Sequence, residues 1–349
     1  MCAVFVFLHV AKLTRRLDDN GGESSATASS SLSNDSGTSA VPVGKFVSLC
    51  PVSLDKRRLG NQLFNFAAMF YVAQLTGRRI VMPRSYVHGH QSNGSGRINR
   101  WFDVPAVQLV DEVVPALCPC RNITESRPLA FEQSLVRATL ESSDVKTLLT
   151  CGWFQSWRYV TGVDAGRSLR RQLTWKSEVA TAVRRFLADH RPRNWTSVCY
   201  ARVGLHVRAG DLLDQRKLAF GYTIPGRDYF RRAIDFFMRH HGKNATRVQF
   251  VVTSDDVNWA RAHLGLDQIV AGYGQSADLV FSTSEDAGFD LALLSACDDV
   301  IMSTGSYGWW AGWLATGRTV YHRHWPRRGS ALHAAFNRPD FFPPRWVAL

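Results

Sequence analysis

The residues best equipped for chemistry are His206, Arg208 and Asp211, gathered in the stretch Val203-Gly204-Leu205-His206-Val207-Arg208-Ala209-Gly210-Asp211. Val203, Leu205 and Val207 alternate as in a strand, so the three ionisable side chains fall at its C-terminal end, and Gly210 lets the backbone turn tightly just beyond. In open α/β sheets, ligands bind outside the carboxyl ends of strands. A guanidinium offers a fixed fork of donors that suits phosphate oxygens. The stretch therefore reads as an anion site, above all for a diphosphate; the alternative is a solvated Arg–Asp pair at an ordinary strand end. Two more strand-like segments end in polar residues. Val248–Thr253 runs into Ser254, Asp255 and Asp256, and Asp299–Met302 runs into Ser303, Thr304, Gly305 and Ser306. In one parallel sheet all three ends emerge on the same edge. Arg208 and the Ser306 region could then hold a diphosphate. Asp255 could accept the paired donors of a guanine edge, leaving Asp256 to cap the next helix. The alternative for either aspartate is a cap alone.

The elements that must position these groups alternate. Lys45–Val52 reads as a strand, and Arg57-Arg58-Leu59-Gly60-Asn61-Gln62 leads into a helix that runs to Thr76. Leu63, Phe64, Ala67, Ala68, Tyr71, Val72 and Leu75 form its apolar stripe, and Gly77 stops it. Arg79–Met82 is the next strand. Such a unit aims its loop at a helix N-terminus, where amide donors and the dipole attract an anion, so Gly60 and Asn61 join the candidates. G-x-G-x-x-G and G-x-x-x-x-G-K-[ST] are absent, which removes support for the usual dinucleotide and NTPase loops. Residues 84–195 show turns at Asn93-Gly94 and Pro119 and helices over 129–140 and 176–190. Trp153, Phe154, Trp157 and Tyr159 cluster there and read as core or interface packing rather than as a sugar platform. Residues 190–196 read as a linker. Beyond it helices at 227–241, from after Asp256 to about 264, at 286–296 and at 307–315 alternate with the strands, and Thr319–Tyr321 reads as the last strand. This alternation predicts an α/β fold of two Rossmann-like halves with parallel sheets, Gly60 and Arg208 lying on facing edges of a cleft.

Composition narrows the setting. The 349 residues suit two layered units, and 45% hydrophobic against 20% charged residues supports a packed core. A net charge of +13 favours anionic partners, but the basic residues are scattered, which argues against nucleic acid. The seven cysteines form no C-x-x-C pair and no H-E-x-x-H is present, so no metal site is expected. Asn34, Asn93, Asn122, Asn194 and Asn244 each begin an N-x-[ST] sequon, which favours a lumenal or secreted chain. The apolar run Ala3–Ala11 is too short to span a bilayer, which takes about 20 residues. Residues 1–17 read as a truncated membrane anchor and 18–44 as a flexible Ser/Thr-rich stem. Residues 45–195 and 196–349 then form the two halves of the body.

Leu59-Gly60-Asn61-Gln62, His206-Val207-Arg208-Ala209-Gly210-Asp211, Val251–Asp256 with Trp259, Asp290–Cys297 and Ser303–Leu314 resemble, in order, the motifs of the animal and bacterial galactoside α-1,2-fucosyltransferases (glycosyltransferase family 11). The resemblance covers roughly Lys45 to Leu349. It implies a GT-B-like fold with the acceptor on the N-terminal half and the GDP-sugar on the C-terminal half. It also implies GDP-fucose as donor, a galactose-terminated glycan as acceptor, inversion at the sugar carbon, and a Golgi type II membrane protein with a lumenal catalytic domain. Arg57 stands where the family's first motif starts with glycine, and Ala209 where a second arginine is usual. The site residues implied are Gly60, Asn61, Arg208, Asp255, Ser303, Ser306 and Tyr307 for the donor. Arg208, helped by His206, would stabilise the leaving diphosphate. Asp211 is the first candidate for the base and Asp290 the second. No cofactor and no obligatory metal are expected. The rival reading is a glycan-binding protein of the same fold that has lost turnover; a nucleotide-binding module outside sugar transfer lacks its phosphate loop.

Overall fold

Strand and helix segments alternate along the chain and build two parallel sheets. The computed structural model describes residues 44–50, 58–83, 97–110, 118–164, 166–192, 195, 199–242 and 247–349. The anchor and stem segments up to residue 43, Arg57, and the sequon residues Asn34, Asn93, Asn194 and Asn244 lie outside them. No helix among the described residues is long and apolar enough to cross a membrane.

The first half holds β1 (Phe46–Leu49), α1 (Leu59–Thr76), β2 (Arg79–Pro83), β3 (Phe102–Asp103), β4 (Val107–Val110), β5 (Cys120–Thr124), β6 (Thr147–Cys151), β7 (Thr174–Trp175) and α2 (Ser177–Asp189). Its sheet runs β4-β2-β1-β6-β5, with β3 and β7 pairing apart as an antiparallel ribbon. The second half holds β8 (Tyr200–Val207), α3 (Arg227–Gly242), β9 (Arg247–Ser254), α4 (Val257–Leu264), β10 (Ala277–Phe281), α5 (Ala287–Ser295), β11 (Asp299–Met302), α6 (Gly305–Ala315), β12 (Thr319–Tyr321) and β13 (Val347–Ala348). Its sheet runs β10-β9-β8-β11-β12-β13, parallel at every pairing. The inner strands are buried on both faces, which is why they read as almost continuous apolar runs.

Three departures from the sequence reading have physical causes. β4 and β5 are edge strands, and β5 carries mostly polar, exposed residues, so alternation did not announce it. Thr319–Tyr321 is not the last strand, because the short segment Val347–Ala348 adds β13 outside it. The third departure concerns α6, which begins at Gly305 and so puts Ser306 and Tyr307 in its first turn.

α1 carries more than an apolar stripe: Leu59, Gly60 and all residues from Gln62 to Met69 are buried. A helix buried all round belongs inside a structure. Here it lies between its own sheet and α6 of the other half, with the Phe64 ring 4.7 Å from Trp309 and 5.2 Å from Trp310. Burying one such side chain contributes roughly 1.5–3 kcal/mol, so this seam holds the halves together by ordinary core packing. The chain end crosses the seam as well. Ser156 Oγ donates to Asp340 O at 2.7 Å, Trp157 Nε1 donates to Pro339 O at 2.8 Å, and Arg158 pairs with Asp340 at 3.0 Å. A disulfide joins Cys50 to Cys151 at the ends of the adjacent strands β1 and β6.

Candidate active site

Register brings the three polar strand ends together. His206 of β8 pairs with Thr253 of β9 on one side and Met302 of β11 on the other. Arg208, Asp255 and Ser303 therefore emerge side by side. The Arg208 backbone N–H donates to Ser303 Oγ at 3.0 Å. Its guanidinium grips Asp211 with two prongs, Nε to Oδ1 at 3.2 Å and Nη2 to Oδ2 at 3.1 Å, and lies 5.6 Å from the Tyr222 ring centre. The remaining prong faces the start of α6: a Cβ on Gly305 would stand 2.5 Å from Arg208 Nη1.

That helix start lacks a side-chain cap. Thr304 at the N-cap makes no side-chain capping bond, and its buried hydroxyl has no partner. The first-turn amides and the helix dipole thus point toward the guanidinium's free prong. From the other half, the turn into α1 comes into contact. A Cβ on Gly60 would lie 2.7 Å from Tyr307 N and 2.8 Å from Ser306 C, so only glycine fits there. Asn61 Oδ1 accepts from Ser306 Oγ and from Gln155 Nε2, both at 2.7 Å. Tyr307 OH donates to Ala287 O at 2.7 Å and stacks obliquely near His206, ring centres 5.2 Å apart.

His206 is buried, and burial together with the Arg208 charge pushes its pKa down to about 3. It is a neutral imidazole at physiological pH. Ser303 Oγ already accepts from Arg208, so its hydrogen can go to His206 Nδ1, 3.2 Å away, which leaves the ring proton on Nε2.

The carboxylates divide sharply. Burial alone would raise the Asp211 pKa, but the hydrogen bonds and charges of Arg208, Lys217 and Arg58 outweigh it and hold the group well below the usual carboxylate range. Arg58 Nη1 lies 3.2 Å from Asp211 Oδ2, and Lys217 Nζ bonds the same oxygen. A carboxylate gripped by three cations accepts a proton poorly, so this geometry suits orienting Arg208 more than base chemistry. Asp290 is the opposite case. Burial pushes its pKa up to about 7, against the hydrogen bond from Ser282 Oγ at 2.6 Å, with Asp286 adding repulsion. Its proton affinity matches neutral pH, but it sits buried in the first turn of α5. Asp255 is exposed, and its Oδ1 accepts from Ala209 N at 2.8 Å and Gly210 N at 3.2 Å, fixing the turn that carries Arg208 and Asp211. Asp256 caps α4 through Trp259 N at 2.8 Å.

Arg58, Lys217, Tyr222, Gln155 and Thr304 were not singled out from sequence. Arg58 had a signal, an arginine directly before a helix start, and Thr304 lies within the polar end of the third strand; the other three sit in unremarkable local sequence and arrive by tertiary approach. Asn122, exposed on the edge strand β5, is the one sequon residue within the described residues.

The site and fold have recognisable relatives. Residues 164–349 match the model of glycosyl transferase family 11. Galactoside alpha-(1,2)-fucosyltransferase 1 of Rattus norvegicus is 27% identical over 303 residues, covering 84% of this chain and 70% of that one. Galactoside 2-alpha-L-fucosyltransferase SEC1 of Bos taurus is 27% identical over 303 residues, covering 84% and 72%. Among solved structures, the apo form of POFUT1 superposes with a TM-score of 0.53 at 13% identity, over 81% of this chain and 99% of that one. An Arabidopsis thaliana FUT1 variant in complex with GDP superposes with a TM-score of 0.52 at 12% identity, over 96% and 79%. At these identities the two structures speak for the fold alone, which is α/β and GT-B-like. By the match to its C-terminal half, with the motifs in order around Arg208, the chain belongs to glycosyl transferase family 11.

Proposed function

We propose that the chain transfers L-fucose from GDP-fucose to the 2-hydroxyl of a terminal galactose, with inversion at the fucose anomeric carbon. The observation that carries this is Arg208, its free prong set against the uncapped start of α6 and its other two held by Asp211. The names of the curated relatives support the donor sugar and the galactoside acceptor. The C-terminal half takes the donor and the N-terminal half the acceptor. As the bond from fucose C1 to the β-phosphate oxygen breaks, charge grows on that phosphate. Donors already in place there stabilise the transition state more than the ground state. Arg208 and the α6 amides supply them, His206 and Ser303 hold the arginine's backbone, and Asp211 aims its fork. Lys217 and Arg58 leave a surplus of positive charge around the single Asp211 carboxylate, in a region where Ala209 contributes none. The acceptor hydroxyl loses its proton as its oxygen bonds to C1; of the two carboxylates, Asp290 has the fitting proton affinity. Asp255 keeps one oxygen for the guanine edge.

Charge on the diphosphate is met by cationic side chains, so we expect turnover without a divalent ion; EDTA should leave it intact, and rescue by manganese after its loss would refute this. The reading places the body in the Golgi lumen, tethered by its N-terminal segment. The Cys50–Cys151 disulfide and the exposed sequon residue Asn122 support an oxidising, glycosylating compartment. The deciding experiment is GDP release from GDP-fucose with and without a β-galactoside. Acceptor-dependent release with fucose found on O2 of galactose is expected. Tight binding of both compounds with no release would instead favour the glycan-binding protein.

A further inference from the structure

We infer that Trp153 is the platform on which a sugar ring of the acceptor stacks; the inference rests on the acceptor side assigned above. The loop from Gly152 to Ser156 follows β6 directly, and Cys151 at its start is tied to Cys50. Glu125 clamps it: its carboxylate accepts from Trp153 N at 2.6 Å and from Phe154 N at 3.0 Å. Its side chain passes so close over Gly152 that a Cβ there would lie 2.4 Å from Glu125 Cβ. Phe154 adopts a positive φ of 51°, a conformation that a bulky residue keeps only where its surroundings impose it and that tends to mark functional loops. Its ring is buried, edge-on to Tyr159 at 5.6 Å.

The side chains after it are committed as well. Gln155 donates to Asn61, Ser156 to Asp340 O, and Trp157 to Pro339 O. In a chain whose tryptophans are mostly buried, Trp153 keeps 43% of its surface exposed. Two residues along, Gln155 starts a hydrogen-bond chain through Asn61 to Ser306, in the first turn of α6 where Arg208 lies. The backbone that carries the indole is therefore held on the N-terminal half, two residues from a side chain that joins the contact between the two halves. A surface tryptophan of no consequence would not require a carboxylate clamp, a left-handed neighbour and a disulfide at the loop's root. The C–H face of a pyranose matches an indole face, and a rigid indole gives contact area at small entropic cost.

Two measurements on the full chain test this. Trp153→Ala should raise the KM for a β-galactoside acceptor about tenfold, leave the KM for GDP-fucose and the GDP-induced melting shift unchanged, and be largely restored by Trp153→Phe. Saturation-transfer NMR with a galactose-terminated oligosaccharide should show saturated ring protons that fade in Trp153→Ala and persist in Trp153→Phe. Equal acceptor KM and equal saturation in wild type and Trp153→Ala would overturn the inference, as would equal losses toward donor and acceptor, the mark of a folding defect. If the wild type releases no GDP with any galactoside, the transferase reading fails, and the saturation comparison still decides the role of Trp153.

Discussion

Gly60→Ala separates packing at the seam from stability in general. The added methyl would meet Tyr307 N at 2.7 Å, Ser306 C at 2.8 Å and Ser306 Oγ at 2.9 Å. Ordinary contact begins near 3.4 Å, and the first two atoms are backbone, so the start of α6 must recede by about 0.7 Å. Overpacking of this kind costs about 1–3 kcal/mol. Alanine recovers up to about 1 kcal/mol in helix propensity, because Gly60 sits within α1. Net stability should thus fall by only about 0–2 kcal/mol. Turnover should fall much further, because the displaced atoms are those set against the Arg208 prong, and a misplacement near 1 Å costs on the order of 10²-fold. The control is Gly77→Ala. That residue has φ 65° with nothing near its absent Cβ, so alanine there strains the end of α1 by about 1–2 kcal/mol and should leave kcat alone. The assay is initial-rate GDP release alongside thermal melting for both variants. Wild-type kcat in Gly60→Ala, or equal kinetic losses in both, would refute the reasoning.

Arg208→Lys keeps the charge and loses the fork that serves Asp211 and α6 together, so kcat/KM should drop by about 10²–10³, and turnover within threefold of wild type would contradict its role. GDP should raise the melting temperature well above UDP or ADP. Asp255→Asn should erase most of that preference while keeping the turn, since an amide oxygen still accepts from Ala209 and Gly210; equal shifts by GDP and UDP in the wild type would dismiss the guanine contact. Asp290 is neutral in both states at low pH. As pH rises from about 4 toward 7 the unfolded carboxyl ionises while the native one, with a pKa near 7, stays protonated, so stability is lost across that window by up to roughly 4 kcal/mol. Asp290→Asn should flatten this slope and gain on the wild type at pH 8 relative to pH 4.5; a gap between the two melting curves that does not change with pH would disprove it.

Much of the second sheet was legible because its strands are short apolar runs with polar ends, and a parallel sheet leaves those ends no edge but one. His206, Arg208, Asp255 and Ser303 could be grouped on that ground alone. Gly60 could be placed at a helix start, but not its contact with Ser306 and Tyr307, because a missing side chain does not say what occupies the space. Lys217 and Arg58 look like any surface cation until Asp211 is seen between them. The same blindness ranked Asp211 ahead of Asp290 as a base, since their proton affinities are set by burial and by partners distant in sequence. β5 escaped notice because an edge strand with a wet face needs no apolar alternation.

The path of the last residues bears on inheritance. Residues 338–341 lie against the first half through Asp340, Pro339 and the Phe341 ring beside Phe64, and the chain then returns to lay β13 on the second sheet. Phe341 O also takes the hydrogen of the buried Trp309 indole at 2.7 Å, so α6 is held by a residue 32 positions beyond that tryptophan in sequence. Removing residues 338–349 would therefore do more than shorten the chain. It would take away the bonds to Ser156, Trp157 and Trp309 together with β13, whereas a substitution at the exposed Arg345 nearby should change stability little, as thermal melting of the two variants would show.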